Sequence, residues 1–429
     1  MKIIKDTKTG LLIKSFLLNN RDYLSVTALC YFDLNNSEEP LEEQAMWKDT
    51  MAELGDVILD LGMPKPNAEV LLSGHCHNHL PSESASHVRL RAGSVDKELY
   101  IYGDRQWKLG TISQAESFKK MPLTYDRAFG SERYAKNPLG KGFGDSDLLP
   151  NIENPKHLIA SKKESVDPAG FMPYDVSWPQ CADKLGTYDE AWKRDLWPGF
   201  AANMDYTYFN RAPDDQQLEN FFEGGESIEL TNMHPEHQLI TSSIPEMSIR
   251  CFATSVEEDE EEKFQEIVMQ RDTLWLFPEL QRGIVIFRGT IEIEDEEYTN
   301  LKYLNLKALR ADETPKSLDE QYELQKKELN KKADIDQAPM QEAQAKIKEA
   351  KKKIFDIPRQ VKESDLQASG KKPSLKRTPA EKEQRTHKQI DAALKRIESS
   401  EGKLKTLKEK FSQYAKINTN AFAGAKAKL

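Results

Sequence analysis

Cysteine is scarce in this sequence, with only four residues in 429, and the four lie far apart. Cys30, Cys76, Cys181 and Cys251 include no Cys-x-x-Cys pair. A fold held together by disulfide bonds is therefore not expected, and a reducing cytoplasm is the predicted compartment.

Long hydrophobic runs are also missing, since no stretch approaches the about 18 consecutive apolar residues of a membrane-spanning helix. The N-terminus carries Lys2, Lys5 and Lys8, but the apolar patch at residues 11–13 ends at Lys14. That patch is too short for the core of a signal peptide. The sequence thus predicts no membrane partner.

Catalytic motifs are missing as well, because the sequence has no Gly-x-Ser-x-Gly and no His-Glu-x-x-His. His234 could form an acid/base set with Asp214 and Asp215. A folded protein of this size offers many such pairs, however, and a structural role is the expected one for His234. No enzymatic mechanism and no catalytic residue are predicted.

Charge is distributed unevenly along the chain, although the net charge is only −10. Residues 311–429 hold 28 Lys+Arg and 19 Asp+Glu, a balance of +9, which leaves −19 for residues 1–310. The C-terminal part has no Trp and only 3 of the 21 glycines. We therefore predict two different bodies, residues 1–310 and residues 317–429.

The N-terminal body shows the patterns of β-structure. Apolar Val88, Leu90 and Ala92 alternate with polar neighbours and lead into a turn at residues 93–94, which predicts a hairpin over 88–102. Strands are also predicted at 22–33 and 68–76, and a second hairpin from 272–277 and 284–293. The predicted fold is mainly β, with sandwich-like sheets.

Residues 122–213, here called the wrapped segment, hold 9 Pro and 7 Gly and show neither a helical nor a strand period. Trp178, Trp192 and Trp197 lie within it. Because disordered linkers avoid large aromatic residues, we predict an ordered, turn-rich segment that wraps the β body through aromatic anchors.

Residues 317–429 predict an α-helical, coiled-coil-like extension. Thr378-Pro379-Ala380-Glu381 is a capping box, and a narrow apolar stripe with helical spacing follows it. Lysine and glutamate are interleaved along this basic part, which is typical of a solvated or protein-binding surface and does not favour a nucleic-acid partner.

The sequence 75–79 reads His-Cys-His-Asn-His. On a strand, His75, His77 and His79 would project from one face, and three imidazoles can bind zinc. A metal-dependent hydrolase that uses this face is the alternative function. The simpler interpretation is a strand with a solvated histidine face, so no metal and no cofactor are assigned.

The glycine-rich sequence Leu139-Gly140-Lys141-Gly142-Phe143-Gly144 resembles a phosphate-binding loop only superficially. A Walker loop needs Gly-Lys-Ser/Thr at the start of a helix, whereas Gly142 and Phe143 follow the lysine here. A tight turn with positive φ angles explains these glycines better.

Several phrases, in one order, carry a family resemblance. They are Gly103-Asp-Arg-Gln-Trp107, Met121-Pro-Leu-Thr-Tyr-Asp-Arg-Ala-Phe-Gly130, Asn137-Pro-Leu-Gly-Lys-Gly-Phe143, Leu149-Pro-Asn-Ile-Glu-Asn154, Pro168-Ala-Gly-Phe-Met-Pro173, Trp178-Pro-Gln180, Gly186-Thr-Tyr-Asp-Glu-Ala-Trp192, Tyr208-Phe-Asn-Arg-Ala-Pro-Asp-Asp-Gln-Gln217, Gly224-Gly-Glu226, Asp272-Thr-Leu-Trp275 and Phe287-Arg288-Gly289. Over about residues 15–300 the chain resembles a bacterial domain-of-unknown-function family whose members serve as type VI secretion effector adaptors.

This resemblance implies a cytoplasmic, chaperone-like protein of Gram-negative bacteria that is not an enzyme. Its expected partners are a toxin effector, often bound through a PAAR-like region, and the valine-glycine-repeat spike that the toxin is loaded onto. The resemblance supplies no catalytic residues and does not identify the partner-binding residues. A purely structural spike component is a further alternative.

Overall fold

The computed structural model describes residues 1–5, 8–19, 21–41, 62–144, 146–256, 262–293, 300–310, 312–327 and 329. The chain divides into two compact units, Met1–Leu318 and Asp319–Leu429. Residues 318–327 are helical. Of the predicted helical extension, residues 317–429, the part after residue 327 lies outside the described residues except for residue 329.

The described residues form short and long strands with few helices. The strands are β1 (Lys2–Ile4), β2 (Thr9–Leu18), β3 (Arg21–Asp33), β4 (Asn36–Pro40), β5 (Ala68–Leu72), β6 (His75–His77), β7 (Ala85–Ala92), β8 (Val95–Tyr102), β9 (Trp107–Lys108), β10 (Thr111–Ile112), β11 (Lys120–Pro122), β12 (Phe129–Gly130), β13 (Lys141–Gly142), β14 (Ile152–Glu153), β15 (Gln217–Leu218), β16 (Ser227–Thr231), β17 (Leu239–Ser243), β18 (Ser248–Val256), β19 (Glu262–Ile267), β20 (Gln270–Phe277), β21 (Arg282–Ile293) and β22 (Leu301–Leu309). Besides the helical residues 318–327, the α-helices are α1 (Pro179–Ala182) and α2 (Glu190–Asp195), and 3-10 helices span Tyr125–Arg127, Tyr206–Phe209, Asp214–Gln216 and Pro278–Leu280.

Three larger sheets confirm the prediction of a mainly β fold. A seven-stranded sheet has the order β15-β5-β20-β21-β3-β2, with β4 beside β3. A five-stranded sheet has the order β14-β8-β7-β16-β17, and a four-stranded sheet the order β1-β22-β18-β19. Two-stranded pairs form from β9 and β10, from β6 and β11, and from β12 and β13.

The seven-stranded sheet is covered on both faces at its centre. Along β3, Val26 and Cys30 face a large apolar core, whereas Tyr31 packs into a second cluster. Along β20, Leu274 likewise faces the large core, and Trp275 packs into the second cluster. A strand that is buried on both faces needs an almost continuous apolar sequence, and β3, β20 and β21 have one.

The five-stranded sheet buries only one face. In β7, Val88, Leu90 and Ala92 are buried and the alternating residues are largely exposed. The register pairs Ala92 with Val95 across the two-residue turn, where Gly93 has a φ of +57°. The predicted hairpin at 88–102 is therefore confirmed, and β20 with β21 confirms the second predicted hairpin.

One apolar core joins the three larger sheets. It includes Leu24 of β3, Leu90 of β7, Cys251 of β18 and Leu304 of β22, all of them almost fully buried. Each large apolar side chain that is buried in this way stabilises the fold by about 2 kcal/mol. The helices that the structure describes are too short or too polar to span a lipid bilayer.

The wrapped segment is ordered and turn-rich, as predicted. It contributes Phe171 to the main core, and its Tyr125 and Phe129 each belong to a small cluster of their own. Trp178 is buried against Tyr125, with ring centroids 5.2 Å apart. The aromatic residues thus attach an irregular backbone to the sheets at several points.

Candidate interaction surface

Buried polar groups fix the end of the wrapped segment to the seven-stranded sheet. The Glu69 carboxylate of β5 accepts hydrogen bonds from the backbone N–H groups of Arg211 (2.8 Å) and Ala212 (3.0 Å). Its other oxygen lies 2.6 Å from the Lys65 ammonium, which also donates to Thr273 Oγ1 at 2.8 Å. Sequence patterns missed Lys65 and Glu69, because charged residues are rarely fully buried unless they are paired.

A second buried contact ties the segment to the five-stranded sheet. Lys97 of β8 donates to the carbonyl oxygen of Gly170 (2.6 Å), to Asp215 (2.7 Å) and to Gln216 (2.8 Å). Burial lowers the pKa of Lys97, and the nearby Asp215 carboxylate opposes that shift. The Gln216 amide in turn donates to the carbonyl oxygen of Phe171 at 3.0 Å. Gly170, Asp215 and Gln216 belong to the family phrases, and their contacts with Lys97 fix the shape of the loops that carry them.

The aromatic ridge, formed by Tyr188, Trp192 and Trp197, lies on the outer side of this segment. The rings meet edge to face, with centroids 4.7 Å apart for Tyr188 and Trp192 and 5.4 Å apart for Trp192 and Trp197. Tyr188 is 43% exposed and Trp197 is 66% exposed. The predicted anchoring role therefore fits Trp178 but is wrong for Trp197, which the fold leaves in solvent.

Helix α2 holds the central ring of the ridge in place. Asp189 caps the helix by accepting a hydrogen bond from the backbone N–H of Trp192 at 2.9 Å. The Trp192 indole N–H donates to the carbonyl oxygen of Gly199 at 2.9 Å. Exposed aromatic rings on a fixed backbone are typical of protein-binding hot spots, because they bury a large area at a small entropic cost.

The histidines at 75–79 do not converge. Strand β6 ends at His77, and the Asn78 side chain then accepts a hydrogen bond from the backbone N–H of Leu80 (3.1 Å), which turns the chain. Only His75 and His77 share a face, so the predicted three-histidine strand face is wrong. The Nε2 atom of His79 is buried without a hydrogen-bond partner among the described residues.

One carboxylate, that of Glu279, contacts both histidines of strand β6 directly. Glu279 lies 2.6 Å from His75 Nδ1 and 2.6 Å from His77 Nε2, and the ammonium of Lys120 is 2.9 Å away. Lys120 reaches it because β11 pairs Lys120 with His77. Within the described ranges no group of three His, Cys, Asp or Glu side chains could hold a metal ion.

The same contacts set the charge of this cluster. Burial alone would raise the pKa of Glu279, but hydrogen bonds from His75, Lys120 and His77 hold it well below its usual value. Burial lowers the pKa of His77, although the Glu279 carboxylate opposes that change. A carboxylate that stays ionised and paired is a poor general acid or base near neutral pH.

The remaining sequence candidates have structural roles. Gly142 and Gly144 adopt φ angles of +104° and +81°, as predicted for a tight turn. Lys141 pairs in β13 and lies 3.3 Å from Asp104. The Nδ1 atom of His234 accepts hydrogen bonds from the two backbone N–H groups at residues 236 and 237, as expected for a structural histidine.

A cavity of about 900 Å³ opens beside β19 and β21. Its cationic and anionic lining residues balance, four against four: Arg21, Lys65, Lys263 and Arg288 against Asp22, Glu266, Asp272 and Glu292. Arg288 forms an ion pair with Asp272, and Arg21 lies 3.1 Å from Glu292. With its charges balanced, the cavity does not favour an ionic ligand of either sign.

Comparison with known proteins finds one family. The model of a family described as "Uncharacterized protein conserved in bacteria (DUF2169)" matches residues 19–288, more than half of the chain. No curated protein and no solved structure matches significantly. The match agrees with the predicted family segment at 15–300, while the role in secretion stays a prediction. The chain belongs to this family of uncharacterized proteins conserved in bacteria.

Proposed function

We propose that this protein is an effector adaptor of type VI secretion. It binds a toxin effector through the toxin's PAAR-like region and promotes loading of the toxin onto the valine-glycine-repeat spike. It works by non-covalent binding in the cytoplasm of the producing cell and carries out no covalent chemistry of its own.

The observation that carries this proposal is the aromatic ridge. Trp197 is 66% exposed, although its neighbour Trp192 is held by the backbone carbonyl of Gly199. The exposed area of such a large ring contributes favourable free energy only when a partner buries it, by about 25 cal/mol per Å² of apolar area. A partner protein that covers Trp197 and Tyr188 would obtain this gain.

Rigidity of the loops supports the same function. Glu69 holds the C-terminal end of the wrapped segment at Arg211, and Lys97 holds its middle at Gly170, so the ridge between them does not have to be ordered at the moment of binding. A preformed surface loses less conformational entropy on association and therefore binds more tightly. Residues 1–310 carry a net charge of −19, which favours association with a basic partner surface.

Co-expression tests the proposal. The full chain carries an affinity tag and is produced together with a candidate PAAR-containing toxin from the same bacterium. We expect the toxin to be retained on the affinity column and the purified pair to recruit the spike protein. A cognate toxin that is never retained, at low or moderate salt, contradicts the adaptor function.

Delivery in cells separates the adaptor from a structural spike component. Deletion of the gene should leave toxin production intact and abolish toxin secretion, whereas the protein itself should stay in the producing cell. Recovery of the protein in the secreted fraction together with the spike would favour the structural role instead.

A further inference from the structure

Strands β9 and β10 form a small hairpin whose turn consists of Leu109 and Gly110. The register pairs Lys108 with Thr111 and Trp107 with Ile112. Both turn residues have positive φ angles, +52° for Leu109 and +81° for Gly110. This is the geometry of the two-residue hairpin turns in which asparagine, aspartate and glycine are preferred.

Leucine is an unfavourable residue at the first position of this turn. A bulky side chain in the left-handed region is strained by contact between its Cβ atom and the backbone. Leu109 is also completely exposed, at 106% of the reference area for leucine. Its side chain therefore adds strain and no burial within the described part of the fold.

The base of the hairpin, in contrast, is rigidly held. Trp107 packs against the cluster that contains Phe129 and Leu149, and its backbone N–H donates to the carbonyl oxygen of Asp147 at 2.7 Å. Arg105 contacts the Glu153 carboxylate, and its guanidinium lies 3.7 Å from the centre of the Tyr102 ring. The tip thus projects from a fixed support.

Two further exposed apolar side chains lie at the base of the hairpin. Ile112 is 37% exposed, and Leu148, which is 52% exposed, belongs to a bridge that pairs it with Gln106 beside the hairpin. Leu109 is the fully exposed side chain at the tip, in the two-residue turn. It fits a concave apolar pocket on a folded protein better than a flat apolar face.

The charge of the body argues against a lipid bilayer as the occupant. Membrane binding by a short apolar hairpin needs additional attraction to anionic lipids. Residues 1–310 carry a net charge of −19, which such lipids repel.

We propose that Leu109 is an anchor residue that inserts into an apolar pocket of the toxin effector. The inference rests on the proposed adaptor function. Strained residues cluster at functional sites. We therefore attribute the strained leucine at position 109 to a role in binding. The hairpin is then a contact separate from the aromatic ridge.

Leu109→Asn tests this assignment because asparagine suits the left-handed turn and lacks the apolar side chain. We expect its urea midpoint to equal or exceed that of the wild type, while its affinity for the co-expressed PAAR-containing toxin falls at least tenfold. Val268→Asn is the matched control, since Val268 is 77% exposed in a loop between β19 and β20. It should leave the affinity unchanged.

Each outcome has one meaning. If the wild type retains the toxin and Leu109→Asn binds it equally well, the hairpin is not an anchor, although the adaptor function stands. If the wild type retains no toxin, the adaptor function fails and the anchor role fails with it. A lower urea midpoint for Leu109→Asn would mean that the leucine stabilises the fold, which contradicts the anchor role. Flotation of the wild type with phosphatidylglycerol vesicles would mean that the hairpin binds membranes and not the toxin.

Discussion

The Lys65 ammonium lies 2.6 Å from the Glu69 carboxylate inside the β body, and the two side chains are 4% and 1% exposed. Because Glu69 also accepts two backbone hydrogen bonds from the wrapped segment, this ion pair is one of the contacts that join the segment to the seven-stranded sheet. The shape of the interaction surface thus depends on a buried charge pair.

Glu69→Gln should destabilise the protein strongly. The amide has a single acceptor oxygen, so its NH₂ group must face either Lys65 or the backbone donors. We expect a loss of about 3–5 kcal/mol in the free energy of unfolding, measured by urea denaturation.

Two variants accompany this measurement. Lys65→Met combined with Glu69→Gln should recover part of the loss, because the buried ammonium is then absent as well. Asp96→Asn removes a surface ion pair with Arg89 and should change the stability far less. Equal effects of Glu69→Gln and Asp96→Asn would mean that the buried pair does not support the fold.

Gly103→Ala should be much more harmful than Gly144→Ala. A Cβ atom at Gly103 would lie 1.7 Å from the carbonyl oxygen of Glu116, so the backbone would have to move. At Gly144 nothing lies within 4 Å, and only the φ of +81° opposes a side chain. We expect losses of about 3 and about 1 kcal/mol respectively from thermal or urea unfolding. The reverse order would contradict the packing described around Gly103.

Glu279→Gln should give a pH-dependent loss of stability. The native contacts lower the pKa of Glu279 below its ordinary value of 4.5, so the carboxylate stabilises the fold above that pH. This contribution is lost as the pH falls below about 4.5 towards the folded pKa. We expect a difference from the wild type of about 2 kcal/mol at about pH 7, and a smaller difference at about pH 3.5.

Glu219→Gln is the control for this series, because Glu219 is exposed on the surface. Its urea midpoint should follow that of the wild type at each pH. A Glu279→Gln deficit that does not shrink in acid would show that the cluster stabilises the fold through packing and not through charge.

Trp197→Ala should reduce binding without loss of stability. Because Trp197 is largely exposed, its removal leaves the core intact, and toxin affinity should fall at least tenfold. Trp178→Ala removes a ring that is 6% exposed and should instead cost about 3–5 kcal/mol of unfolding free energy. Circular dichroism melts and toxin retention, measured on the same preparations, distinguish the two effects.

Local patterns were sufficient to predict much of the β-structure. The alternation at Val88, Leu90 and Ala92 predicted the first hairpin, and the apolar sequences at 272–277 and 284–293 predicted the second. Such signals are local, since side chains alternate between the two faces of a strand.

Long-range pairing could not be predicted in this way. The parallel pairing of β5 with β20 joins residues about two hundred positions apart, as does the contact between His77 and Glu279. The sequence at 75–79 indicated a shared face, yet it could not show that Asn78 would turn the chain before His79. The exposure of Trp197 likewise depends on how distant loops pack.

The most direct test is calorimetric titration of the purified full chain with its cognate PAAR-containing toxin, repeated with Trp197→Ala and with Val268→Ala. We expect saturable binding by the wild type and by Val268→Ala, and binding at least ten times weaker by Trp197→Ala. Absence of saturable binding by the wild type, or turnover of the toxin in place of complex formation, would contradict the account.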